Sequence, residues 1–159
     1  MRRSDREIKD LTEIIDVMKR CDVCRLALND GEYPYILPMN FGMEVESGVV
    51  TLYFHSASEG RKLEIIAADN RASFEMDCSH RLVCDEKTGH CTMEYESVIG
   101  SGRVEIVDED KKYEALFVLM SHYHLEEFKF SRDAIPRTTV LKLTVERLTG
   151  KRRFVKNDR

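Results

Sequence analysis

The sequence predicts a mainly β protein of the α+β class, a closed or nearly closed antiparallel barrel with helices at its periphery. Three observations lead there. Apolar and polar residues alternate with period two in one stretch after another, the mark of half-buried strands. Short turns rich in Gly, Asn, Asp and Ser join several of these strands, which makes the neighbours antiparallel. Only three segments carry a helical period, too few to cross over between successive parallel strands.

Ser4 and Glu7 have the spacing of a capping box, and Ile8, Leu11, Ile15 and Met18 then share a helical face, so a first helix is expected over residues 5–20. From Cys24 the period becomes two. Cys24, Leu26 and Leu28 alternate with Arg25, Ala27 and Asn29, and Asn29-Asp30-Gly31-Glu32 closes the strand as a turn. Residues 33–43 read as a second strand, which Pro34 and Pro38 place at an edge or a bulge because they cannot donate to a ladder. After the turn Glu46-Ser47-Gly48, Val50, Leu52 and Phe54 share one strand face, and Thr51, Tyr53 and His55 the other. Residues 58–68 predict a short helix crossing the sheet, and 72–77 another strand. The polar stretch 78–90 is expected to be a loop.

Over 92–107, Val98, Gly100, Gly102, Val104 and Ile106 mark one strand face, with Arg103 and Glu105 on the other. Asp108 is placed to cap a helix whose Tyr113, Leu116, Phe117, Met120 and Tyr123 recur with helical period and are expected to pack on the core. The last strand, over 138–148, turns Leu141, Leu143 and Val145 inward. The order is thus α-β-β-β-α-β-β-α-β, with no internal repeat and no linker.

A chain of 159 residues suits one domain and can bury a core without staples. Its net charge of −4 gives no general attraction to nucleic-acid phosphates, so an anionic ligand needs a local cluster of donors. No apolar run approaches the roughly 20 residues of a membrane span. The basic start MRRSDREIKD has no apolar stretch behind it, so a cytoplasmic location is expected, with neither membrane nor nucleic-acid partners.

The cysteines at 21, 24, 78, 84 and 91 are odd in number, and without a secretion signal free thiols are expected rather than a disulfide framework. Cys21-x-x-Cys24 follows a helix and enters a strand, the reverse of a thioredoxin motif, so Cys24 is expected to be buried. Cys78, His80, Cys84, His90 and Cys91 cluster in sequence but match no common zinc spacing, and no metal is assigned to them.

Leu52-Tyr53-Phe54-His55-Ser56-Ala57, followed by Gly60-Arg61-Lys62, resembles the central signature of the nitroimidazole-resistance branch of the pyridoxamine 5′-phosphate oxidase-related, flavin-binding split-barrel superfamily. Three other segments resemble that family at the expected places: Tyr33-Pro34-Tyr35 with Pro38-Met39-Asn40-Phe41, Tyr95 to Gly102, and Arg137-Thr138 before the final strand, which ends in Thr149-Gly150-Lys151. The resemblance covers about residues 10–153 of a single domain taken as 1–159. It implies a six- to seven-stranded antiparallel split β-barrel, a homodimer, and FMN (FAD being the alternative) in the cleft between subunits.

The activity it implies is flavin-dependent oxidation–reduction of small molecules, nitroaromatics among them. Two alternatives stand beside it. One is pyridoxamine 5′-phosphate oxidation, for which no further basic cluster is evident in the sequence. The other is a non-catalytic flavin or haem carrier or sensor, with His55 available to the iron.

Carried onto this chain, the phosphate falls to Ser56, Ala57, Arg61 and Lys62, where a strand gives way to a helix N-terminus that favours anions. The ring system falls to Pro38, Met39, Asn40 and Phe41, with Tyr95, Ser97 and Val98 completing the pocket. His55, on the polar face of its strand, is the candidate for contact with the reacting atoms and for proton transfer. Taken alone, His55 would be a strand-end histidine, Arg61 and Lys62 a solvated helix face, and Gly100 and Gly102 bends in a barrel strand. Glu96 departs from the arginine that many relatives carry there and is expected to bring negative charge near the pocket.

Overall fold

A computed structural model describes residues 3–125, 127 and 132–155. In chain order the elements are β1 (Glu7–Ile8), α1 (Leu11–Lys19), β2 (Cys24–Asp30), β3 (Tyr33–Met39), β4 (Gly42–Glu46) and β5 (Val49–Ala57). Then come α2 (Arg61–Ala68), β6 (Arg71–Asp85), β7 (His90–Ile106), α3 (Lys112–His122) and β8 (Thr138–Arg153). All strand pairings are antiparallel, in the order β3-β2-β6-β7-β8-β5-β4, with β1 added to β8. β3 and β4 are the free edges, joined only through Asn40 and Phe41, which leaves the barrel split between them.

The inner faces are those that period two predicts. Leu26, Leu28, Leu52, Phe54, Leu141 and Leu143 are fully buried, and Phe41 and Phe74 join them. β3 is an edge strand, as its two prolines require, and the 33–43 segment divides at Asn40 into β3 and β4. The turn between β4 and β5 holds Ser47 and Gly48 at φ 50° and 82°, the left-handed pair of a tight hairpin.

Several expectations are corrected. The first helix starts at Leu11, because Asp10 accepts from the N–H groups of Thr12 (2.7 Å) and Glu13 (3.3 Å) and is the effective cap. Ser4–Arg6 is a short 3-10 turn, and Ile8 is buried in β1 opposite Gly150. The 78–90 stretch is no loop: β6 and β7 continue as a two-stranded arm to the pair Asp85↔His90, past a bulge between Cys78 and Arg81. Period two is hidden there because the arm runs beyond the core and most of its residues are exposed.

In α3 the buried positions are Lys112, Ala115 and Leu119, whereas Tyr113 and Phe117 are each 43% exposed. That helix is apolar on several sides, so its sequence does not fix which side faces the sheet. It covers the outer face of β5 and β8, where Val107, Ala115 and Val140 form a second small core beside Tyr53 and Leu116. Ile106, on the predicted inner phase, is 59% exposed at the strand's end.

Cysteine usage is corrected too. Register places Cys84 opposite Cys91 and the two form a disulfide, leaving Cys21, Cys24 and Cys78 as thiols. Cys21 and Cys24 are buried, and burial is the main cause that pushes the Cys24 thiol up to about 12 and the Cys21 thiol higher still. Both are inert packing groups at neutral pH. No helix among the described residues is long and apolar enough to cross a membrane.

Candidate functional site

The predicted site residues fall into two groups on one chain. The first group gathers where β5 ends and α2 begins. His55 faces outward and is exposed, with no hydrogen-bond or ion-pair partner among the described residues. Ser56 is on the opposite phase, 7% exposed, and its hydroxyl donates to the Ala57 carbonyl at 3.0 Å. Gly60 precedes α2 at φ 130°, a conformation open to glycine and strained for other residues. The N–H groups of Arg61 and Lys62 precede the first turn's bond, Leu63 N–H to Gly60 carbonyl at 2.9 Å, and point out of the helix end.

The two cations differ sharply. Arg61 is committed elsewhere: its guanidinium donates to both oxygens of Asp30 at 2.8–3.0 Å and ties α2 to the end of β2. Lys62 is half-buried and meets no carboxylate among the described residues. Arg137 stands at the same end of the sheet, since the next residue, Thr138, pairs with Ala57.

The β3–β4 connection runs beside this group, because Gly42 pairs with Tyr53, two residues before His55. Pro38 and Asn40 are exposed, and Met39 and Phe41 are buried. Phe41 spends its N–H on the Tyr123 hydroxyl (3.1 Å), which also accepts from Asn40 Nδ2 (3.2 Å) and donates to the Asp22 carbonyl (2.7 Å). The Phe41 ring lies 4.2 Å from that of His122. The C-terminal end of α3 thus fixes this connection, and Pro38 and Asn40 are its accessible side chains.

The second group, on β7, does not meet the first. Its partners on β8 are Arg153 for Tyr95, Lys151 for Ser97 and Gly150 for Val98, whereas β5 pairs Val140 with His55. Val140 and Lys151 are eleven residues apart, roughly 35 Å of strand contour. Tyr95 and Ser97 are half-buried on the outer face, while the Val98 side chain is fully buried in the core. Gly100 and Gly102 are accounted for inside the chain. A Cβ on Gly100 would meet the Phe74 ring at 2.3 Å, and one on Gly102 the Thr144 carbonyl oxygen at 2.0 Å.

Glu96 does not bring free charge to a pocket. It is 3% exposed on the inner phase of β7 and accepts from Arg20 (2.6 Å), Arg152 (2.7 Å) and Ser79 (3.0 Å). Burial pushes this carboxyl up, but the Arg152, Arg20 and Ser79 bonds outweigh it and hold the group below its usual range. Tyr53, on the His55 face, is pushed up to about 12 by burial and by its 3.1 Å bond to Glu44.

Beside Tyr95, the structure brings in cations that sequence reasoning left unassigned. Lys151 Nζ lies 5.7 Å from the centre of the Tyr95 ring. Burial raises the phenol, but Lys151 and Arg6 together hold it below its ordinary value. Arg6 lies about 90 residues from Tyr95 in the chain, so no local pattern signals their meeting.

A groove of about 660 Å3 lies elsewhere, over the outer face of β2, β6, β7 and β8, and none of the predicted site residues lines it. Arg71 and Arg103 in its wall are already paired with Asp69 and Glu146. Among the described residues no cluster of His, Cys, Asp and Glu has the geometry of a metal site.

The chain resembles proteins of known structure over most of its length. The sequence model of the pyridoxamine 5′-phosphate oxidase family matches residues 10–152. A candidate 5-nitroimidazole antibiotic resistance protein from Bacteroides thetaiotaomicron is 34% identical, with a TM-score of 0.79 over 91% of this chain and 85% of that one. An FAD- and haem-binding protein from Mycobacterium smegmatis shares the fold at 18% identity, with a TM-score of 0.80 over 97% of this chain and 76% of that one. A flavocytochrome from Azotobacter vinelandii shares it at 18% identity, with a TM-score of 0.78 over 99% and 75%. No functionally curated protein matches the chain. On the family match and the 34% relative, this split barrel belongs to the pyridoxamine 5′-phosphate oxidase family.

Proposed function

We propose that this chain binds FMN, FAD being the alternative, between two copies of itself, and acts in the cytoplasm as a flavin-dependent oxidoreductase on small molecules such as nitroaromatics. The observation that carries this reading is Lys62, a half-buried cation without a carboxylate among the described residues, at the N-terminus of α2 and in the same strand-to-helix segment as the exposed His55. A flavin phosphate supplies the anion that this cation and the free N–H groups lack. The separation of the two residue groups supports the dimer, since a second copy is needed to bring Tyr95 and Ser97 toward His55. The relative named for nitroimidazole resistance and the flavin-binding neighbours support the chemistry.

A bound flavin in its reduced form would supply the two electrons that, with two protons, reduction of a nitro group to a nitroso group and water requires. The chain's own share is to hold the phosphate with Lys62 and the α2 N–H groups. Pro38 and Asn40 would be the side chains available to the ring, on a β3–β4 connection held by Tyr123. His55, whose imidazole faces solvent at that end of the sheet, delivers a proton.

Titration of cofactor-free protein with FMN, followed by flavin fluorescence, tests the assignment. The wild-type chain should bind FMN, and Lys62→Ala should bind it about ten- to a hundredfold more weakly, the worth of one charged hydrogen bond. Equal affinity in the two proteins would remove Lys62 from the site.

A haem-binding reading rests on the same exposed His55 and on the two neighbours that hold haem. Uptake of haem by wild-type chain and not by His55→Ala, with no uptake of FMN, would favour it instead.

A further inference from the structure

We infer that Arg6, Lys151 and Arg153, with the Tyr95 hydroxyl, form a subsite that selects small substrates carrying a single carboxylate. The inference rests on the flavin-enzyme reading above and specifies the substrate of that site.

Just over half of the lysines and arginines with described side chains meet a carboxylate. Eight arginines (Arg3, Arg20, Arg25, Arg61, Arg71, Arg81, Arg103 and Arg152) each meet a carboxylate. The lysines and arginines without one are mostly exposed and solvated. Among the described residues, four cations are both half-buried and without a carboxylate: Lys62, Arg6, Lys151 and Arg153. Lys62 is the phosphate candidate. The other three converge at the opposite end of the sheet, although residues 6 and 151 are far apart in sequence.

Strand geometry makes them neighbours. Arg153 pairs with Tyr95 and Lys151 with Ser97, so all four side chains leave the same outer face of β7 and β8. β1 adds to β8 at Lys151 and brings Arg6, the residue before it, against the Tyr95 phenol. Lys151 stands over the same ring at 5.7 Å. Removing cations from water without a counter-charge is unfavourable, and a ligand anion would relieve that cost.

The shape of the anion follows from the surroundings. Glu7, the strand neighbour of Lys151, offsets part of the positive charge of the three cations, while Asp5 is already bonded to Arg3. A phenol hydroxyl between two cations and an arginine fork suit a planar carboxylate. This group lies on β7, at the half of the site that faces a partner's His55 in the proposed dimer. It would therefore hold the far end of a substrate whose oxidised group lies at the flavin.

Three ligands sharing one ring test this: 4-nitrobenzoate, nitrobenzene and 4-nitrophenyl phosphate, titrated by calorimetry into the full-length protein. The proteins are wild type, Lys151→Gln, Arg6→Gln and the conservative Lys151→Arg, each with its flavin content and molecular mass measured alongside. Wild type should bind 4-nitrobenzoate about tenfold or more tightly than nitrobenzene, and more tightly than the phosphate ester. The glutamine variants should lose that preference and Lys151→Arg should keep it, with flavin content and mass unchanged in all.

No preference in wild type, or tightest binding of the phosphate ester, overturns the inference. Loss of flavin in Lys151→Gln would give these cations to the cofactor, and loss of the dimer would give them to the partner chain; either result also overturns it. A wild-type protein without flavin that still prefers 4-nitrobenzoate would sink the flavin reading and leave the subsite standing.

Discussion

Glu96 shows how one side chain draws distant parts of this chain together. Its carboxylate joins Arg20 after α1, Ser79 in the β6 bulge and Arg152 near the end of β8. Glu96→Gln should lower unfolding free energy by about 2 kcal/mol in urea titrations, since two of the lost partners are themselves partly solvated guanidiniums. The pH dependence has a definite sign. The folded-state carboxyl lies below its unfolded value, so its stabilisation is complete above the unfolded value near 4.3 and fades as pH falls through the folded one. Stability measured against pH in wild type and Glu96→Gln should therefore converge in acid; a gap that widens on acidification would contradict this assignment. Sequence reasoning placed negative charge near a pocket here because Arg20 and Arg152 lie 76 and 56 residues away, beyond any local pattern. Lys62 and His55, the residues proposed for the site, stand out in the sequence for the opposite reason. They sit within one strand-to-helix segment whose periodicity and motif are local.

Among the elements, strands over the core were readable because one face is apolar and the other polar. β2 and β5 follow the predicted alternation residue by residue. The β6–β7 arm was read as a loop because it leaves the core and loses that contrast. α3 was assigned the wrong face because apolar residues surround it. Two measurements address this level. With its Cβ only 2.0 Å from the Thr144 carbonyl, Gly102→Ala should force β7 and β8 apart at their register shift and cost about 1–3 kcal/mol of stability. Thiol titration of the unfolded chain should find three reactive cysteines without reductant and five with it, Cys84 and Cys91 accounting for the difference. Five in both conditions would mean that the arm pairs the two residues without joining them.

For the molecule as a whole, the fold could be anticipated from periodicity and from four motifs in order, but the residues proposed for the site are not brought together within one copy of the chain. His55 and Lys62 lie at one end of β8, and Tyr95, Ser97 and Lys151 at the other. A two-fold dimer that sets one end against the partner's other end would complete two equal sites, and light scattering should give about twice the 18.5 kDa chain mass. A monomer retaining tight flavin binding would contradict a shared site. Purified protein should show the visible bands of an oxidised flavin, and heating should release FMN identifiable by chromatography. A colourless protein that also takes up neither added FMN nor FAD would contradict the account at its centre.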